Sequence, residues 1–125
     1  MESLLDAVRG SAASWHEGKL FIEHLVAICH DTLHLIAGVA IWLVIAAISR
    51  RSIRSWLPLL GTAIIAIFNE AVDLWVELWP SPGHQLGEGA RDILATVGIP
   101  ALFVLATRIR PSILEARPRG AHTKE

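Results

Sequence analysis

Four acid or amide side chains sit inside one of the most apolar stretches of the chain. Residues 56–80 read WLPLLGTAIIAIFNEAVDLWVELWP, and Asn69, Glu70, Asp73 and Glu77 follow one another at spacings of one, three and four. On a helix those spacings gather all four on one side. A carboxylate at membrane depth is expensive, so it should face protein or a water-filled cavity rather than lipid. A second polar stripe leads into the apolar run 33–49, where Glu23, Ala27, His30, Asp31, His34 and Gly38 share one helical face. A third opens the last apolar run: Arg91 and Asp92 start it, and Thr96 follows one turn later.

Several chemistries suit these residue types. The plainest is a charge-compensated cluster, with Arg91 paired to Glu70, Asp73 or Asp92 and the histidines hydrogen-bonded to carboxylates. Buried ionic groups often serve packing specificity alone. A divalent metal is the second, because His30 and His34 stand at i and i+4 and carboxylates are available from the next run. No HExxH motif accompanies them, and the sequence assigns no metal. The third is a polar pocket for a lipid or glycan headgroup, or a hydrolytic site in which Glu70 acts as acid or base. Haem is disfavoured, since His34 is the only histidine well inside a run and the other two runs contain none. No cofactor is therefore expected. Nucleic-acid chemistry has no support: there is no glycine-rich phosphate loop, and the basic tail is short.

The elements that must position these groups follow from hydropathy. The chain has 125 residues, 53% of them hydrophobic and 18% charged, with a mean hydropathy of +0.48. Apolar residues collect in three blocks, Leu33–Ser49, Trp56–Trp79 and Ile93–Thr107, and about 20 helical residues cross a bilayer core. The expectation is an all-α integral membrane protein: a three-helix bundle with spans at 30–49, 56–80 and 91–108, forming one domain. Residues 1–28 form an amphipathic, interfacial segment, with Leu4, Leu5, Val8, Ala12 and Trp15 at helical spacing. Gly18 is expected to break that helix, and a new one to run from Lys19 into the first span. Pro80–Gly83 should stop the second span, and residues 84–90 should form a glycine-rich turn. In the third span Pro100 removes the backbone bond to Thr96, and Gly98 allows close helix approach. Residues 111–125 are a basic tail.

Charge gives an orientation. Arg50, Arg51, Arg54, Arg108, Arg110, Arg117, Arg119 and Lys124 fall on one side of the spans, against Arg9, Lys19 and Arg91 on the other. Basic flanks stay cytoplasmic, so the N-terminus should lie outside and the C-terminus inside. No basic n-region with an early apolar core is visible, so no cleavable signal peptide is expected. Cys29 is the single cysteine and cannot form an internal disulfide. With this topology all three stripes converge in the outer half of the bundle.

At these residues the chain resembles the VanZ-like family of small bacterial membrane proteins. The matching segments are His30-Asp31-Thr32-Leu33-His34, Asn69-Glu70-Ala71-Val72-Asp73 and Asp92-Ile93-Leu94-Ala95-Thr96-Val97-Gly98, within residues 30–107. Asp73 stands where that family has glutamine, Thr96 where asparagine is common, and Thr32 where lysine often follows the aspartate. The family is associated with glycopeptide (teicoplanin) resistance. The resemblance implies a bacterial inner-membrane location and a cell-envelope role, without implying an enzymatic reaction. The expected function is an outward-facing polar pocket lined by His30, Asp31, His34, Asn69, Glu70, Asp73, Arg91, Asp92 and Thr96, with membrane lipids as partners. The alternative is an accessory subunit of a larger respiratory or photosynthetic membrane complex, with partner membrane subunits and a purely structural cluster.

Overall fold

The computed structural model describes residues 2–26, 29–76 and 81–111. Four helices make up the described chain: α1 (Glu2–Val26), α2 (His30–Ile48), α3 (Trp56–Val76) and α4 (Pro82–Ile109). The last three are long and apolar enough to cross a membrane. In hydrocarbon a backbone must satisfy its own hydrogen bonds, so an apolar run of this length has the helix as its natural form. Side chains such as Ile48, Leu60, Ile64, Phe68, Leu94 and Leu102 are exposed on the bundle surface. Apolar surface this extensive calls for an apolar surrounding.

α2, α3 and α4 pack on one another, and α1 packs mainly on α3. α2 and α4 run in the same direction, as His30 meets Asp92 and His34 meets Thr96. α3 runs against both. One end of the bundle has an apolar core of Trp42, Leu59 and Val104, flanked by Ile53, Val97, Ala101 and Phe103. Trp42 and Phe103 meet edge to face, with ring centroids 5.1 Å apart. The arginine-rich residues 50–54 and 108–110 border this end. Here Arg54 donates to the Thr107 carbonyl at 3.3 Å, and the Arg108 guanidinium lies 5.2 Å from the Trp56 ring centroid. The opposite end is polar.

Three buried threonines manage their hydroxyls within their own helices. Thr62 donates to the Pro58 carbonyl at 2.9 Å, Thr96 to that of Asp92 at 2.8 Å, and Thr107 to that of Val104 at 2.9 Å. Such local bonds let a polar side chain sit among apolar ones. α2 ends in a Schellman turn. Arg50 adopts the left-handed conformation (φ 52°), while the Arg50 and Arg51 amides donate to the Ala47 and Ala46 carbonyls. This closes off the helix before the short 49–55 loop.

Four expectations need correction. α1 continues through Gly18, and the next helix begins at His30, not Lys19. A single glycine lowers helix propensity by only about 1 kcal/mol, which neighbouring residues can offset. Residues 84–90 are helical and belong to α4. Pro82 occupies its first position, where the missing amide would be unpaired anyway and the fixed φ favours a helix start. Gly98 is not the point of close approach, because a methyl group there would meet nothing within 4 Å. That point is Gly38, whose added Cβ would collide with the Thr96 backbone carbonyl. Pro100, lying four residues beyond Thr96 and lacking an amide hydrogen, leaves this carbonyl without its usual helical donor. The fourth correction concerns Arg91 and is described with the site below. The Glu23 side chain, Ala27, Glu77, Trp79, Pro80 and the tail from residue 112 lie outside the described residues.

Candidate functional site

The polar end is built from three helices that each contribute one stripe. From α2 come His30, Asp31 and His34; from α3, Asn69, Glu70 and Asp73; from α4, Arg91, Asp92 and Thr96. Glu70 and Asp92 are buried, at 7% and 8% relative exposure, so two carboxylates are withdrawn from the bundle surface. Gly89 of α4 makes room for Glu70: a methyl group on it would come within 3.3 Å of Glu70 Oε2.

The cluster divides into two linked halves. In the half facing α2 and α4, His30 Nε2 lies 3.2 Å from Asp92 Oδ2, and His34 Nε2 lies 3.9 Å from the same oxygen. The two imidazoles meet edge to face at 4.7 Å. His34 Nδ1 lies 3.0 Å from Thr96 Oγ1. Thr96 has one hydroxyl proton and gives it to the Asp92 carbonyl. When Thr96 donates to that carbonyl, His34 Nδ1 is the donor to Thr96, and Nε2 of a neutral ring is then available as a ligand atom. Asp92 Oδ1 is buried with no hydrogen-bond partner. Among the described residues, His30, His34 and Asp92 form a group able to hold a metal ion, with ligand atoms all within 4.8 Å of one another.

In the half facing α1, Asn69 is the hub. Its Nδ2 donates to Glu70 Oε1 and to Asp73 Oδ2, both at 3.2 Å. Its Oδ1 accepts from Trp15 Nε1 at 3.2 Å and from Lys19 Nζ at 3.4 Å. Lys19 also forms an ion pair with Asp73, and His16 Nδ1 lies 3.4 Å from Asp73 Oδ1. Trp15, His16 and Lys19 were not among the residues expected here. They share one face of α1 at spacings of one, three and four, the same signature that singled out α3. A break assumed at Gly18 hides that continuity.

The expected partner of the buried acids is corrected as well. Arg91 pairs with Asp31 and, at 3.5 Å, with Glu88 one turn earlier on its own helix. Its side chain is 58% exposed and lies on the rim with Asp31, not between Glu70 and Asp73. The cation that enters the interior network is Lys19. Two clefts lie away from this cluster: one of about 280 Å³ lined by Arg54, Thr107, Arg108 and Pro111 at the basic end, and one of about 220 Å³ between α1 and the end of α3, lined by Arg9, Ala12, Ala13, Trp75 and Val76.

The fold and the cluster thus define an all-helical bundle with three helices able to cross a membrane and an ionisable cluster at one end. Comparison of the chain with protein-family models, with curated proteins and with solved structures finds no match.

Proposed function

We propose that this chain is a VanZ-like multi-pass protein of the bacterial inner membrane, with its N-terminus outside and its C-terminus inside. Its polar end serves as an outward-facing pocket for the headgroup of an envelope lipid or glycan. The observation that carries the proposal is the convergence of His30, His34, Asn69, Glu70, Asp92 and Thr96 from three different helices at one end, while the other end is closed by an apolar core. Intramembrane ionisable groups are retained at substrate or ion sites more often than by chance. His30, Asp31 and Arg91 form the accessible rim, and α1 lies at the membrane interface.

Two measurements test the proposal. Cys29 is exposed at the start of α2, so it reports the side on which the polar end lies. In intact cells a membrane-impermeant maleimide should label Cys29, whereas a cysteine placed at residue 125 of a Cys29→Ser protein should react only after permeabilisation. The reverse pattern refutes the orientation. Glu70→Gln then separates a working site from a structural one. Glutamine retains the acceptor used by Asn69 but removes charge and proton exchange. The variant is expected to insert and melt like the parent in detergent, yet lose the parent's effect on glycopeptide susceptibility in an expressing host. Unchanged susceptibility sinks the pocket.

One observation favours the alternative of an accessory subunit with a structural cluster. α1 keeps Leu4, Leu5, Val8, Leu20, Phe21 and Ile22 exposed while its polar side chains anchor it to α3. Such a surface suits a partner subunit as well as lipid. Purification in mild detergent distinguishes the two: stoichiometric co-purifying subunits support the alternative, and a single species supports the pocket.

A further inference from the structure

We infer that His30, His34 and Asp92 form a binding site for a divalent transition-metal ion of the zinc type. Three features carry this. The ligand atoms are gathered within 4.8 Å of one another. Asp92 is buried, yet its Oδ1 has no hydrogen-bond partner. And Thr96, which donates to the Asp92 carbonyl, can accept from His34 Nδ1, the arrangement that leaves His34 Nε2, 3.9 Å from Asp92 Oδ2, available to a metal. A hydrogen bond that holds the far nitrogen of a ligating histidine is the usual outer support of such sites. Two imidazoles and one carboxylate suit zinc, whose bonds of about 2.0–2.2 Å require the three groups to close in slightly. About half of the His30 side chain is exposed, at the edge of the group. Three protein ligands leave a fourth position open to water or to an oxygen of an incoming headgroup. Asp92 would thus bind the metal through Oδ2 or Oδ1, and Thr96 is a positioning residue.

The inference deepens the proposed pocket and rests on the cluster being a working site, so its test is independent of any phenotype. The protein, purified without a histidine tag and stripped with chelator, is titrated with Co²⁺ and then Zn²⁺. The expected result is a visible ligand-field absorption that saturates at one Co²⁺ per chain and is displaced by Zn²⁺, together with a rise in melting temperature. His34→Gln and Asp92→Asn should weaken zinc binding by more than about 100-fold. Thr96→Val, which keeps every ligand, should weaken it by about 10-fold, within the range for outer supports of metal sites. His24→Gln and His84→Gln, outside the group, should bind like the parent. If a variant fails to fold, the parent's Co²⁺ spectrum and stoichiometry still decide. No absorption in the parent, or equal affinity in the cluster and control variants, overturns the site. Metal binding combined with normal susceptibility in Glu70→Gln keeps the metal and removes the headgroup. A lost phenotype without metal binding does the opposite.

Discussion

Gly38→Ala should lower stability in detergent by about 3 kcal/mol or more, at or above the upper end of what an added core methyl group usually does. The new Cβ would overlap the Thr96 backbone carbonyl, and backbone cannot rotate away as a side chain can. α2 and α4 would have to separate at the level of Thr96, which also holds His34. The loss should therefore extend beyond stability: the His30–His34–Asp92 grouping depends on the same helix contact. Gly98→Ala is the matched control. Its methyl group meets nothing within 4 Å, and alanine is the better helix former by up to about 1 kcal/mol, so this variant should melt at or above the parent. Reversible unfolding in mixed micelles, run on both variants, checks the pair. Equal melting of the two would show that α2 and α4 do not meet at Gly38.

Lys19→Ala should destabilise the bundle more than Arg91→Ala. Lys19 reaches Asp73 and Asn69 from α1, with its partner carboxylate only 16% exposed. Removing it leaves Asp73 with Asn69 and His16, and strips α1 of its main polar anchor on α3. A hydrogen bond to a charged group contributes about 1.5–3 kcal/mol, and this one is mostly buried. Arg91 pairs with Asp31 on an exposed rim, where solvent screens the charges and the pair contributes little. Melting of the two variants, with limited proteolysis at α1 as a second readout, gives the order. A larger loss from Arg91→Ala would restore Arg91 as the compensating cation of the interior acids. Lys19→Met, which keeps much of the side chain's length and apolar stem, should recover little if charge is what holds α1 in place.

The three membrane-length helices were legible because each leaves a local signature: an apolar run of sufficient length bounded by arginine, proline or glycine. Local spacing likewise placed His30 with His34, and Asn69 with Glu70 and Asp73, since residues three and four apart on a helix must be neighbours. Alternating direction through short loops then brought these stripes to one end. The helix at 82–90 was misjudged for a local reason. Three glycines there suggest a turn, but a proline at the first helical position and packing of Gly89 against Glu70 outweigh their weak preference. What spacing could not supply was rotation of one helix about its axis relative to the next. That rotation decides whether Gly38 or Gly98 faces a neighbour, whether Arg91 turns inward or to the rim, and whether Lys19 reaches Asp73 from 54 residues away. It also sets Thr96 opposite His34 Nδ1. Sequence alone determined which residues are polar, on which helix and near which end. Only the packing of four helices decided which of them share a hydrogen bond or an ion pair, because those relations depend on distances of a few ångströms between segments far apart in the chain.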